Sequence, residues 1–138
     1  MAKYINATEK TGKEFYLNFI EKGKIVMLNL IKFKDKADYT NLESINLQMN
    51  ISGEQAYKLY TDNTAEALNK IGSRILFYGK STGFLIGPES EKWDAILLVE
   101  HQSLQKFMEF SQSETYLNNV KHRTAGLEDS RLLPSTEI

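Results

Sequence analysis

The hydrophobic positions of KIVMLNLIKF, residues 24–33, leave no polar face. In an extended chain Ile25, Met27, Asn29, Ile31 and Phe33 point one way, and Val26, Leu28, Leu30 and Lys32 the other. WDAILLVEH repeats the pattern, with Trp93, Ala95, Leu97 and Val99 on one side and Ile96 and Leu98 on the other. Both segments read as strands covered on both faces. Between and around them the period changes to that of a helix. In TGKEFYLNFIEKG, Thr11 is the expected N-cap and Glu14 its box partner, with Phe15, Phe19 and Ile20 apolar and Gly23 as the stop. Ser52 and Gln55 form a second capping box. It opens a helix carrying Tyr57, Tyr60, Thr64, Leu68 and Ile71 up to Gly72. Ser103 starts a helical region with Leu104, Phe107 and Met108. That region breaks at Ser113, a cap for a shorter helix with Tyr116, Leu117 and Val120.

Two more strands complete the pattern. SRILFYGKSTGFLIGP is expected to be a strand bent or interrupted at Gly79 or Gly83. LEDSRLL, residues 127–133, is the last strand, ending at Pro134. Residues 34–52 form a long, mostly irregular connection and a candidate rim or lid. After the first helix the order is βαββαβ, the ferredoxin-like α+β pattern of two crossovers on a four-stranded sheet. Expected boundaries are an N-terminal helical extension at 1–22, the main domain at 23–133 and a flexible tail at 134–138. Helices cover one sheet face only. The other face is also apolar, so a second copy is expected to cover it, giving a homodimer.

Composition narrows the function. The chain has 138 residues with 41% hydrophobic content, enough for one domain with a core. Its 17 basic and 18 acidic residues give a net charge of −1, with no broad attraction to nucleic acid or anionic membrane. There is no cysteine, which excludes disulfides and thiolate chemistry. MAKYINATEK has no signal-peptide pattern and no stretch spans a bilayer, so a soluble cytoplasmic protein is expected. His101 and His122 have no metal-ligand spacing, and neither a metal nor a permanently bound haem is expected. GKSTGFLIGP lacks the phosphate-loop order, and Ser111 and Ser113 lack an activated-serine context. No cofactor is expected.

MLNLIKF, the Tyr57–Tyr60 pair, WDAILLVE, the SETY segment and HRTAGLEDSRL together resemble one family. It is domain of unknown function 1330, within the dimeric α/β-barrel superfamily, and the resemblance runs from about residue 23 to 133. It implies a ferredoxin-like homodimer. It implies no single reaction, because the superfamily includes cofactor-independent monooxygenases, isomerases, haem enzymes and proteins without known activity. Asn29, Trp93, Asp94, His122, Arg123 and Asp129 are the positions the resemblance carries over. Ser73 stands where a second glycine is common in the family.

His122 and Arg123 are the expected catalytic pair. Histidine exchanges protons near neutrality, and arginine holds a carboxylate or enolate in a two-donor fork. Asn29, Trp93 and Tyr60 are expected ligand contacts. Asn29 is expected to line a cavity between the two sheets of a dimer, while Lys32 reaches water. Its alternative role is to hold a local bulge. Lys32, Asp94, Tyr57 and Asp129 are weaker candidates, each with an ordinary packing, turn or ion-pair role as the alternative. Two functions follow. One is a small dimeric oxygenase or isomerase acting on an oxygenated or carboxylate-bearing molecule. The other is a noncatalytic ligand-binding or structural dimer.

Overall fold

The computed structural model describes residues 2–40, 42 and 50–138. Its elements run α1 (Glu9–Phe19), β1 (Ile25–Phe33), α2 (Gly53–Lys70), β2 (Arg74–Lys80), β3 (Ala95–His101), α3 (Leu104–Ser111), α4 (Glu114–Gly126) and β4 (Leu127–Ser135). The four strands pair antiparallel in the order β2-β3-β1-β4. This is the expected ferredoxin-like α+β arrangement with an added N-terminal helix.

Local chemistry explains most boundaries. Ser52 and Gln55 close the expected capping box of α2. Ser103 and Ser113 each accept a backbone N–H three residues on, so the break between α3 and α4 falls where a second cap stands. α1 differs from expectation. Thr8 is its cap and Thr11 its box partner, so the helix begins three residues earlier than a Thr11 cap allows. β2 ends at Lys80, and beyond it Gly83 and Lys92 make only an isolated bridge. The irregularity inside β2 lies between Ile75 and Phe77, not at a glycine. β4 runs through Pro134 to Ser135. A proline with no N–H is tolerated there because β4 is an edge strand. Residues 43–49 of the expected rim or lid lie outside the described residues.

The two sheet faces are now distinguishable. Ile25, Met27 and Ile31 are at most 2% exposed and lie under the helices with Ala95, Leu97 and Val99. Val26, Leu28 and Leu30 are only half-buried on the opposite, open face. Register carries an apolar row across all four strands on that face: Phe77 beside Leu98, Leu98 beside Leu28, and Leu28 beside Leu133. Phe77 is 54% exposed and Leu133 63%. Among the described residues no helix is long and apolar enough to cross a membrane.

Candidate functional site

A cavity of about 210 Å³ lies between the sheet and the helices. Met27 and Asn29 of β1 and Leu97, Val99 and His101 of β3 form its floor. Period-two alternation puts all five on the helix-covered face. α2 contributes Tyr57, Tyr60 and Thr64 at helical spacing, and α4 contributes Tyr116 and Arg123. Ile5, Asn6 and Ala7, ahead of α1, supply a further wall.

The expected place of Asn29 needs correction. Its side chain is on the helix-covered face with Met27 and Ile31, not between two sheets. Both faces of β1 are apolar, so alternation alone did not say which one the helices cover. The Asn29 amide nitrogen donates to Leu97 O at 3.2 Å, with Met27 O at 3.4 Å. Both partners are backbone, yet the residue still lines a cavity. Lys32 is exposed on the open face, as alternation requires.

Arg123 and His122 point to different surroundings. Arg123 lines the cavity and donates from Nη2 to Ile5 O at 2.9 Å. Among the described residues it has no carboxylate partner, and no acidic side chain lines the cavity. His122 lies elsewhere, with Nδ1 2.7 Å from the Tyr39 hydroxyl. Tyr39 packs with Ala56 and Ala125 in a satellite cluster, with Ala37, Leu42 and Ile51 against it. Burial, and then the neighbouring Lys121, lower the His122 pKa.

The remaining candidates separate similarly. Tyr60 and Tyr57 line the cavity with rings 5.4 Å apart, and Tyr60 and Tyr116 rings are 6.1 Å apart. Burial pushes both the Tyr57 and Tyr60 pKa values up, so these phenols stay protonated. Tyr57 is 2% exposed, and its hydroxyl has no hydrogen-bond partner among the described residues. Trp93 is buried outside the cavity wall. The Arg131 guanidinium lies 5.0 Å from its ring centroid, and Nε1 has no partner among the described residues. Asp129 accepts from Tyr4 N and pairs with Arg131. Asp94 accepts from Phe33 N at 2.8 Å and faces a separate open cleft with Lys34 and Lys80.

His101 is the site residue that motif reasoning missed. It is 2% exposed and lines the cavity. Ser73 Oγ lies 2.8 Å from its Nδ1. Among the described residues the Ser73 hydroxyl has no other acceptor, so it donates to Nδ1. That fixes the neutral tautomer with its proton on Nε2. Burial pushes the His101 pKa down to about 4, so the ring is uncharged at neutral pH. The signal was the alternation Ala95, Leu97, Val99, His101, which carries a histidine onto a buried face. Ser73, 28 residues earlier, is its partner. The cavity thus presents one guanidinium, neutral phenols and a neutral imidazole, all able to donate to an oxygen.

Comparison with known proteins gives a family but no activity. Residues 45–133 match the family model described as domain of unknown function (DUF1330). A crystal structure of methylated RPA0582 protein is 30% identical with a TM-score of 0.87, covering 100% of this chain and 97% of that one. A second structure of RPA0582, a protein of unknown function from Rhodopseudomonas palustris, is 30% identical with a TM-score of 0.86, covering 99% and 98%. A dabb family protein with a ferredoxin-like fold from Mesorhizobium loti is 9% identical with a TM-score of 0.52, covering 84% and 98%, a likeness of fold alone. No curated protein sequence matches. The family match, together with the full-length likeness to RPA0582, establishes that this chain belongs to the DUF1330 family.

Proposed function

We propose that this protein is a homodimer that binds a small anionic, oxygen-bearing molecule in the sheet–helix cavity of each subunit. One observation carries the ligand reading. Arg123 lines a half-enclosed apolar cavity with no carboxylate partner among the described residues and no acid on the wall. A cation in such surroundings gains most from an anion that brings its own hydrogen-bond acceptors. The unpartnered Tyr57 hydroxyl points to the same ligand chemistry.

The dimer reading rests on the open face. In the row Phe77–Leu98–Leu28–Leu133, Phe77 and Leu133 are exposed and Leu28 and Leu98 only half-buried among the described residues. A second copy of the same face is apolar in the same places, so a two-fold axis matches like with like. Sedimentation at low micromolar protein is expected to give a dimer, and a stable monomer overturns this part.

Isothermal calorimetry with benzoate tests the anion site. Wild-type protein is expected to bind, and Arg123→Met to lose at least tenfold in affinity while keeping its helical circular dichroism. Arg123→Lys keeps the charge without the fork and is expected to fall between them. Equal affinity of wild type and Arg123→Met refutes the site.

The donor set also favours a catalytic reading. Donors aimed at one oxygen stabilise charge that develops on it, as cofactor-independent oxygenation and isomerisation through an enolate both require. The noncatalytic reading has its own support: burial keeps Tyr57, Tyr60 and His101 neutral, and the wall carries no carboxylate base.

A further inference from the structure

We infer that the ligand of the sheet–helix cavity is a small hydroxylated carboxylate, with its carboxylate on Arg123 and its hydroxyl donating to Asn29 Oδ1. This deepens the anion-binding reading above and rests on it.

The argument starts from which end of the Asn29 amide faces the cavity. Leu97 O and Met27 O lie 3.2 and 3.4 Å from the same terminal atom of the side chain. Two carbonyl oxygens there require the NH2 group, because Oδ1 would face two acceptors. The amide protons are therefore committed to the backbone. Oδ1 has no partner among the described residues, and Asn29 lines the cavity.

The rest of the polar wall cannot satisfy Oδ1. Thr64 spends its hydroxyl proton on Tyr60 O at 2.7 Å, and Thr61 spends its own on Lys58 O at 3.1 Å. Arg123, the phenols and His101 Nε2 are donors, but none bonds to Asn29 among the described residues. Asn29 is only half-buried, and its Oδ1 is an open acceptor position on the cavity wall. A ligand that only accepts hydrogen bonds satisfies Arg123 and the phenols and leaves Oδ1 empty. A ligand with one hydroxyl satisfies both ends. Met27, Leu97, Phe107 and Phe110 supply an apolar, largely aromatic surround, which suits a ring or short branched skeleton. About 210 Å³ is the share of roughly seven waters, which limits the ligand to small acids.

The test compares matched acids with and without the hydroxyl. Calorimetry would use benzoate against 3- and 4-hydroxybenzoate, and isovalerate against 2-hydroxyisovalerate. At least one hydroxylated acid is expected to bind wild-type protein about tenfold more tightly than its parent. In Asn29→Leu that preference, read as the ratio of the two affinities within the variant, is expected to vanish. A readout on wild-type protein covers the case in which the variant does not fold. The Asn29 side-chain amide signals in a 15N correlation spectrum should move with the preferred hydroxy acid and stay still with its parent. Equal binding of every pair, or a preference that survives Asn29→Leu, overturns the hydroxyl contact while leaving the anion site intact. If no carboxylate binds wild-type protein, the anion site is refuted and this inference falls with it.

Discussion

Ser73 Oγ lies 2.8 Å from His101 Nδ1, and His101 lines the cavity. This bond orients the His101 ring, and burial keeps it neutral by lowering its pKa from an ordinary 6.5 to about 4. The unfolded chain therefore takes up a proton as pH falls below 6.5, while the native protein does not until about pH 4. Stability is fully present above 6.5 and declines through that window. His122 is lowered too and acts with the same sign. The urea midpoint is expected to fall between pH 6.5 and 4, and His101→Gln should flatten that fall without abolishing it. Identical slopes for the two proteins would contradict the assignment.

Tyr39 and His122 make a second buried pair, placed to hold the chain after β1 against α4. Asp38 N donates to Ala125 O at 2.9 Å beside it, so the tether has a backbone component as well. Tyr39→Phe removes one hydrogen bond and leaves a buried ring nitrogen without its partner. The expected loss is about 0.5–1.5 kcal/mol by urea unfolding. Benzoate affinity should stay unchanged, because neither residue lines the cavity. A tenfold loss of affinity in this variant would bring His122 back into the site.

Much of this fold was readable because local and tertiary demands agreed. Ser52, Gln55, Ser103 and Ser113 fixed helix starts through bonds to their own neighbours. Alternation named the faces of β1 correctly. It did not say which face lies under helices, since Leu28 and Leu30 are as apolar as Met27 and Ile31. That choice depends on where α2 and α4 pack, and it moved Asn29 from the expected inter-sheet space to the sheet–helix cavity. His122 and Arg123 are adjacent in sequence but reach different surroundings, because successive helix residues are turned by about 100°. His101 carried no motif, and its role depends on Ser73, 28 residues away. The wall made by Ile5–Ala7 was hidden because Arg123 holds that segment by a backbone oxygen, which no side-chain pattern records.

The open sheet face gives a charge test of assembly. Leu28 stands at the centre of the apolar row, between Leu98 and Leu133. In an isolated subunit a glutamate there reaches water from a half-buried position. At a two-fold interface it meets its own copy in apolar surroundings, and two desolvated like charges are strongly unfavourable. Leu28→Glu is expected to sediment as a folded monomer at concentrations where the wild type is a dimer. A Leu28→Glu dimer as tight as the wild type would exclude this face as the interface.

Gly53 and Gly126 bring the start of α2 against the end of α4 at backbone distance. A Cβ built on Gly126 lies 2.5 Å from Gly53 O, and one built on Gly53 meets Lys34 O first and lies 2.6 Å from Gly126 O. The oxygens cannot retreat easily. Gly126 O accepts from Lys34 N at 2.9 Å, and Lys34 O accepts from Gly53 N at 3.0 Å. Fully buried Ala56 and Ala125 keep the same helix pair close. An added methyl must therefore part the two helices or break this backbone link. Gly53→Ala and Gly126→Ala are each expected to cost about 1–3 kcal/mol in urea unfolding. The double variant should cost less than the sum, because helices already parted accommodate the second methyl. Gly12, inside α1, is the control: nothing lies within 4 Å of its built Cβ. Gly12→Ala should stabilise by about 0.5–1 kcal/mol through helix propensity alone. Equal, small effects at all three positions would show that α2 and α4 do not meet through these glycines.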